Sequence, residues 1–359
     1  MVSRGFAKRA VGVTGLRRMR NPILLARQML EHGEHDILGR RTPRPPLRQD
    51  QQDQGGLDVP SAQGHTLLHG ETAEALARLY GLEMVDPGYF FTQKRWDEHL
   101  RGLERERTGN GPASWTADEY LPQGTCGAVA LDAEGVVCCA TSTGGLTNKL
   151  TGRIGDTPSV GTGFWAEEWT ERGDPSRAWA EKEGQAVLLS EGLKGLMADC
   201  LPSPFSYRPV LGTEGRDLVT TRSIALSGTG NGDSFLRTAA CRTVGAIARF
   251  GAHPAGLALD QVAGPDGELQ RSAGRRWGLV GEGEGGMIGI ECVVVRDVDG
   301  GVVEARSNVL QSLNCGGMFR AWVDGNGAAQ VQIWRQDASD HQHAVREETT
   351  VNSKTGLPM

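Results

Sequence analysis

The sequence predicts an α+β fold, in which antiparallel strand pairs alternate with amphipathic helices. Cys126–Leu131 alternates in polarity, and Val136–Ala140 returns after a short turn, which is the pattern of a β-hairpin. Met287–Arg296 and Val302–Leu310 form a second strand pair of the same kind. Between the two pairs, Asp233–Phe250 follows a glycine-rich turn and has the pattern of a helix. Short turns that join neighbouring strands favour mainly antiparallel sheets.

The remaining elements follow from local patterns along the chain. The sequence predicts a strand at Ala10–Val13 and helices at 24–30, 72–80, 96–107 and 181–197. Residues 41–65 are rich in Pro, Gln, Asp and Gly, which predicts a loop. Residues 108–124 are expected to be a mobile tail, and residues 338–359 a polar tail.

Composition excludes several classes of protein. The 359 residues carry a net charge of −6 and no sustained basic stripe, which argues against a nucleic-acid partner. No apolar run approaches the ~18 residues that a membrane span requires. The seven cysteines form no CxxC pair and the eight histidines no HExxH, so we expect reduced cysteines, no metal site and a cytoplasmic protein.

Hydroxyl groups and glycines are concentrated where the first hairpin begins and ends. Gly124-Thr125 opens its first strand, and its second strand leads into Thr141-Ser142-Thr143-Gly144-Gly145. Antiparallel pairing brings these two ends together, so the side chains of Thr125 and Thr143 are expected to meet. Arg153 and Asp156 follow shortly in Gly152-Arg153-Ile154-Gly155-Asp156, which adds one charge of each sign.

This ordered pattern resembles the threonine-type N-terminal nucleophile hydrolases, in particular the plant-type and fungal L-asparaginase/isoaspartyl peptidase family. Two further blocks carry the resemblance, Ser227–Arg237 (SGTGNGDSFLR) and Asn314–Arg320 (NCGGMFR). The resemblance implies a single domain with a four-layer αββα sandwich. It also implies self-cleavage between Gly124 and Thr125, which gives an α chain of residues 1–124 and a β chain whose nucleophile and binding site lie within residues 125–337.

The resemblance assigns the catalytic roles. Thr125 would be the nucleophile, and its own amine, freed by cleavage, would be the base; an α-amino group titrates near ~8, which suits that task. Thr143 would hydrogen-bond to Thr125 and hold it in place. Thr229 and the backbone N–H of Gly230 would form an oxyanion hole, and glycine at 230 lets the backbone come close to the substrate.

The resemblance also assigns the binding roles. Arg153 would hold the α-carboxylate of the substrate and Asp156 its α-ammonium group, because these charges complement each other. Gly230 and Gly232 would line the same site. The implied substrates are L-asparagine and isoaspartyl dipeptides, which share this zwitterionic end. The implied assembly is an (αβ)₂ homodimer without a cofactor.

The beginning of the chain departs from the family pattern. Residues 1–30 are basic, which superficially suggests a transit peptide, but Ala10–Val13 followed by Asn21-Pro22-Ile23 matches the interior of the family's α chain. We therefore expect an N-terminally truncated relative that lacks the family's opening strand and the loop with its structural sodium site. A missing central strand would leave a sheet edge unpaired, which predicts poor stability and slow maturation.

Three other readings are weaker or remain open. An inactive relative that does not mature would share all these patterns. A glycosylasparaginase-like sugar-amide hydrolase is disfavoured by Gly144-Gly145, where that group resembles TSTNG. A nucleotide-binding loop at Gly228–Gly232 is disfavoured because Asp233 occupies a position that the dinucleotide fingerprint gives to glycine.

Overall fold

A computed structural model describes residues 2–37, 62–111, 124–175, 186–189, 206–209, 218–279, 281–324 and 327–335. The strands are β1 (Val2–Arg4), β2 (Arg9–Thr14), β3 (Leu67–His69), β4 (Cys126–Leu131), β5 (Val137–Ser142), β6 (Phe164–Arg172), β7 (Ala186–Leu189), β8 (Ser206–Pro209), β9 (Val219–Gly230), β10 (Gly285–Arg296), β11 (Val302–Leu313), β12 (Gly317–Val323) and β13 (Ala329–Arg335). The helices are α1 (Pro22–Ile37), α2 (Gly70–Leu79), α3 (Gln93–Arg107), α4 (Gly232–Thr238), α5 (Ala240–Phe250), α6 (Ala255–Ala263) and α7 (Glu268–Ala273). Short 3-10 turns occupy Phe6–Lys8, Pro87–Phe90 and Gly274–Arg276. The α+β class predicted from the sequence is therefore confirmed.

The first sheet has the strand order β3-β2-β1-β5-β4. Strand β1 lies between β2 and β5 and pairs antiparallel with both, with Val2 opposite Val11 on one side and Ala140 on the other. The predicted hairpin forms β4 and β5, which pair from Cys126–Ser142 to Leu131–Val137. In this sheet Val2–Arg4 occupies the central position.

The second sheet has the order β11-β10-β9-β6 and is antiparallel throughout. Its long strands β9 and β10 pair from Val219–Arg296 to Gly230–Gly285. This pairing brings the end of β9 next to the start of β10. Helix α4 begins directly after β9, so this end of the second sheet carries the glycine-rich block.

Apolar side chains form two cores. The first contains residues of α1, α2 and the first sheet, together with Phe164, Ala166, Ala225 and Cys292 from the second sheet. The two sheets therefore face each other across this core. The second core joins the other side chains of the second sheet, such as Ile224 and Leu226, to helices α4–α7. Helices thus cover a face of each sheet, and the first hairpin packs against β9.

Two sequence predictions need correction. The predicted helix Asp233–Phe250 is two helices, because Ala239 is left-handed with φ 45°. The N–H groups of Cys241 and Arg242 donate to the carbonyls of Thr162 and Gly161, 3.2 and 2.7 Å away, and this draws the first turn of α5 away from the axis of α4.

The second correction concerns the helix predicted at 181–197. Ala186–Leu189 is a strand that pairs in parallel with Ser206–Pro209. Four consecutive apolar residues fit a strand as well as a helix, so the pattern does not distinguish them. The rest of that segment lies outside the described residues, as do residues 41–61, 112–123 and 336–359, and the predicted loop and tails stay predictions there.

Candidate active site

The two threonines predicted to meet do meet. Thr125 directly precedes β4 and Thr143 directly follows β5, one step beyond the Cys126–Ser142 pair. The Thr125 hydroxyl donates to Thr143 Oγ1 at 3.0 Å, and the N–H of Gly145 donates to the same oxygen at 3.1 Å. Thr143 is thereby held as an acceptor for the Thr125 proton. Both residues are half-buried, so the pair is shielded but accessible.

The end of β9 supplies the next group. Gly230 has φ +153°, and a Cβ there would lie 2.3 Å from the carbonyl oxygen of Glu284, so only glycine fits. The N–H of Asn231 donates to that same carbonyl at 2.8 Å, and the Asn231 side chain caps α4 by accepting from Ser234 N at 3.0 Å. These contacts hold the backbone at Thr229 and Gly230 in one conformation, as an oxyanion hole requires.

Hydroxyl groups also connect the first hairpin to β9. Thr141 Oγ1 and Ser227 Oγ lie 2.6 Å apart, in the interior between the two sheets. Gly127 of β4 packs on the same serine, since a Cβ at 127 would come within 2.0 Å of its Oγ. Thr229 lies two residues beyond Ser227 on the same face of β9. The structure therefore places Thr229 at the end of the interface at which Thr125 and Thr143 lie.

The predicted charged pair forms a corner beside α4. A Cβ on Gly232 would lie 2.6 Å from Asp156 Oδ1 and 3.2 Å from Arg153 Nη2, so both side chains reach the start of this helix. Arg153 Nη2 donates to Asp233 Oδ2 at 3.2 Å. Arg153 and Asp156, which lie within one short loop, are thus brought next to Gly232, which is distant in sequence.

Burial changes the acidity of Asp156. Its side chain is 9% exposed, and this desolvation raises the pKa to about 6. Hydrogen bonds from its own N–H and that of Thr157, and the charge of Arg153, act in the opposite direction. A buried carboxylate with an elevated pKa suits a site that awaits a cationic partner.

Two charged residues at this site were not predicted. Asp233, which holds Arg153, directly follows Gly232 in the glycine-rich block, and that position could have indicated it. Lys149 Nζ donates to the carbonyls of Gly144 and Leu146 at 3.2 and 3.1 Å. Partial burial is the main cause that lowers the pKa of Lys149, and the charge of Arg153 lowers it further. Lys149 therefore stabilises the loop that connects Thr143 to Arg153.

Helix α3 contacts the same loop through a pair that no sequence pattern indicates. His99 Nδ1 hydrogen-bonds to Asn148 Oδ1, and Asn148 Nδ2 donates to the carbonyl of His99 at 3.1 Å. Asn148 has φ +58°, a backbone conformation that asparagine adopts more readily than most residues. The contact crosses from residues before Gly124 to residues after it.

The cysteines behave mainly as core residues. Cys139 and Cys241 are buried, and desolvation raises the pKa of both thiols, that of Cys139 to about 12. Cys126 is exposed, whereas the hydroxyl of the adjacent Thr125 is directed at Thr143. Within the described ranges no three His, Cys, Asp or Glu side chains are grouped so that they could hold a metal ion. In the same ranges, no helix has both the length and the apolar character of a transmembrane segment.

A hydroxyl pair beside a structured glycine turn and a charged corner is an arrangement that suits hydrolases with a hydroxyl nucleophile. Comparisons with known proteins show what the chain is similar to. A sequence model of the asparaginase family matches residues 58–170. The chain is 27% identical over 332 residues to the isoaspartyl peptidase of Escherichia coli K12. This aligned region covers 92% of this chain and 70% of that protein.

Shorter regions match other relatives more closely. The plant-type L-asparaginase of Pyrobaculum calidifontis is 43% identical over 105 residues, 29% of this chain and 33% of that protein. The isoaspartyl peptidase/L-asparaginase of Mus musculus is 41% identical over 103 residues, 29% of this chain and 30% of that protein. Over these stretches the chain is similar to the asparaginase family model and to proteins named isoaspartyl peptidase and plant-type L-asparaginase.

Proposed function

We propose that this chain is an amidohydrolase that cuts itself between Gly124 and Thr125, and then uses Thr125 to hydrolyse L-asparagine, isoaspartyl dipeptides or both to L-aspartate. The observation that carries the proposal is the 3.0 Å hydrogen bond from the Thr125 hydroxyl to Thr143 Oγ1, at the start of β4 and directly after Gly124. The names of the relatives support the same activity, since they include isoaspartyl peptidases and L-asparaginases.

Maturation would use the same hydroxyl as turnover. Thr125 Oγ1 attacks the carbonyl carbon of Gly124, the C–N bond breaks, and the acyl group passes to oxygen as an ester. Water then hydrolyses the ester, which leaves a carboxylate on Gly124 and a free amine and hydroxyl on Thr125. Before this step the Thr125 nitrogen is part of a peptide bond and cannot act as a base, so the uncut chain should be inactive towards substrate.

Turnover would follow the same sequence of bonds. The free amine of Thr125 takes the hydroxyl proton, and the oxygen attacks the β-amide carbon of the substrate. Thr229 and the N–H of Gly230 stabilise the negative oxygen, and ammonia or an amine leaves with the proton. Water then releases L-aspartate from the acyl-enzyme. Thr143, which already accepts two hydrogen bonds, keeps the nucleophile aligned.

Substrate recognition would depend on the charged corner. Arg153 binds the α-carboxylate through its planar guanidinium group, and Asp156 binds the α-ammonium group. The pKa of about 6 at Asp156 means that its carboxylate is mostly ionised at neutral pH. Burial deprives this carboxylate of stabilising water, and a substrate ammonium group supplies that stabilisation instead. Substrates with a zwitterionic end should therefore bind more tightly than substrates without one.

The wider features of the family belong to the same proposal. We infer a four-layer αββα sandwich, because helices cover the outer faces of two facing sheets. We also infer an (αβ)₂ homodimer in the cytoplasm that needs no cofactor, on the basis of the family resemblance.

Self-cleavage is the experiment that tests the function. Purified protein should separate into two chains on a denaturing gel, with intact masses for residues 1–124 and 125–359 and Thr125 as the new N-terminus. The cut protein should release ammonia from L-asparagine or an amine from isoaspartyl dipeptides, whereas Thr125→Ala should do neither. A folded parent chain that stays whole would identify the protein as a relative that does not mature. Activity only towards glycosylasparagine would support the sugar-amide alternative.

A further inference from the structure

We propose that Thr141 and Ser227 are a positioning pair that sets the distance between the strand leading to Thr143 and the strand carrying the oxyanion hole. This inference rests on the proposed function, because it concerns how the two halves of that site are aligned. Neither residue would touch the substrate, and both would act through residues two positions along their strands.

The pair is buried and close. Thr141 Oγ1 lies 2.6 Å from Ser227 Oγ, and the two residues are only 1% and 4% exposed. A Cβ on Gly127 would meet Ser227 Oγ at 2.0 Å and Ser227 Cβ at 2.9 Å, so β4 also packs directly on this serine. Strands β4, β5 and β9 therefore converge on one hydrogen bond, which leaves no room for a larger side chain on β4.

The spacing along the strands relates this contact to the site. Gly127 lies two residues from Thr125, Thr141 two residues from Thr143, and Ser227 two residues from Thr229. Side chains two residues apart in a strand share a face and are about 7 Å apart. The contact among Gly127, Thr141 and Ser227 therefore lies two residues along the strands from Thr125, Thr143 and Thr229. It brings together the same three strands that carry these proposed active-site residues.

Alignment here cannot come from strand pairing alone. The backbone ladder of the first sheet sets the register of β4 against β5, from Cys126–Ser142 onwards. Strands β5 and β9 belong to different sheets, so no ladder joins them. Apolar packing between sheets has no direction, whereas a hydrogen bond sets both distance and direction. Catalytic groups need to be held within about 0.5 Å, and an error of about 1 Å can cost 100-fold in rate.

The test measures self-cleavage and turnover in Ser227→Ala and Thr141→Val. We expect the cleavage rate and kcat to fall about 10–100-fold, because the Thr229 strand shifts relative to Thr125. KM should change less than kcat, because Arg153 and Asp156 lie in the loop between β5 and β6 and not on β9 itself. Thr141→Ser keeps the hydroxyl and should recover most of kcat.

A matched control separates alignment from stability. Thr220 lies on the same strand β9, is fully buried, and donates to the carbonyl of Gly173 at 2.6 Å. Thr220→Val removes a comparable hydrogen bond at the opposite end of the strand. It should lower the melting temperature as Ser227→Ala does, with kcat unchanged. Equal losses of kcat in Thr220→Val and Ser227→Ala would overturn the proposal. A normal kcat in Ser227→Ala would also overturn it.

A structural readout is independent of activity. Crystal structures of the parent chain and of Ser227→Ala would be compared for the separation of Thr143 and Thr229. A shift of that separation supports the positioning role even if the parent chain hydrolyses none of the tested substrates, in which case the proposed function alone fails. An unchanged separation would overturn the positioning role even if the parent chain is fully active.

Discussion

The two halves of the candidate site are built by different means. At the end of the first hairpin, the groups expected to react are the neutral hydroxyls of Thr125 and Thr143, held by hydrogen bonds of 3.0 and 3.1 Å. At the start of α4, Arg153, Asp156 and Asp233 are charged, and burial shifts the pKa of Asp156 to about 6. The first half depends on distance and direction, and the second depends on charge and desolvation.

The difference separates chemistry from recognition. A neutral hydroxyl pair does not titrate near neutral pH, so damage to it should lower kcat and the rate of self-cleavage. The charged corner is proposed to bind the end of the substrate that does not react, so damage to it should mainly raise KM. Changes in the two halves should therefore be distinguishable in one set of kinetic measurements.

The largest effect among changes around the nucleophile is expected for Thr143→Val. This change keeps the shape of the side chain but removes the oxygen that accepts from Thr125 and from Gly145. We expect self-cleavage and kcat to fall about 10²–10³-fold, comparable to the loss of one active-site hydrogen bond, with KM little changed. Band intensities over time and ammonia release measure the two rates. Thr143→Ser retains the acceptor and should stay within about tenfold of the parent; a fully active Thr143→Val would show that the hydroxyl pair has no role.

Arg153→Lys tests the charged half. Lysine keeps the charge but loses the planar, bidentate geometry that suits a carboxylate, so kcat/KM should fall about 10–100-fold, mainly through KM. Self-cleavage should continue at the parent rate, because the scissile bond has no free α-carboxylate. The exposed Arg107, paired with Glu104, provides the control, and Arg107→Lys should change neither parameter. If the two substitutions behave alike, Arg153 is an ordinary surface cation.

Acid should weaken recognition as well as chemistry, because the Thr125 amine, which titrates near ~8, is also protonated. Below its pKa of about 6, Asp156 is protonated and loses its attraction for the substrate ammonium group. We expect kcat/KM to fall about tenfold more per pH unit than kcat below that value, because the Thr125 amine affects both parameters, whereas at saturation the bound ammonium group keeps Asp156 ionised. A pH series of both parameters checks this, and a KM that stays constant down to pH 5 would contradict it.

The raised pKa of Asp156 also affects the stability of the fold. The pKa of Asp156 is raised on folding, so the folded chain binds more protons than the unfolded chain between the ordinary value of 3.8 and about 6. The free energy of unfolding therefore falls as pH rises through this window. Asp156→Asn should remove that penalty and stabilise the protein at pH 7 by up to about 3 kcal/mol, while it weakens substrate binding. A variant no more stable than the parent in urea unfolding would count against strained burial of this carboxylate.

The smallest effect is expected for Asp233→Asn. Asp233 is more than half exposed and pairs with Arg153 at 3.2 Å, so its carboxylate competes with that of the substrate. An exposed ion pair is worth at most about 1 kcal/mol, so KM should fall by about fivefold or less, with kcat unchanged. An increase in KM would mean that Asp233 orients Arg153 for binding.

The features that the sequence could predict are those formed by residues close together along the chain. The hairpin at residues 126–142 was predicted almost to its ends, and its register alone brings Thr125 and Thr143 together. Arg153 and Asp156 were predicted as a pair because they lie within one short loop. The resemblance to a known family supplied the roles, which the hydroxyl and charge pattern alone would have left open.

Contacts between distant segments explain the rest. Asp233 lies 80 residues from Arg153, and although its position beside Gly232 places it near the site, it does not show that Asp233 pairs with Arg153. His99 and Asn148 are 49 residues apart and meet only because α3 packs on the loop. The helix break at Ala239 is set by the carbonyls of Gly161 and Thr162, which belong to another segment. In each case the decisive partner comes from tertiary structure, and single-sequence patterns do not contain it.

Strand β1 pairs with β5 across the bond that is expected to break, with Ser3 opposite Cys139. One sheet would then be assembled from two polypeptides, β1–β3 from the first and β4–β5 from the second. Folding of the uncut chain is unimolecular, whereas refolding of the cut protein would be an association reaction whose yield depends on concentration. Each molecule would thus have a single opportunity to fold as one chain. Dilution after denaturation would distinguish protein that has matured from protein that has not.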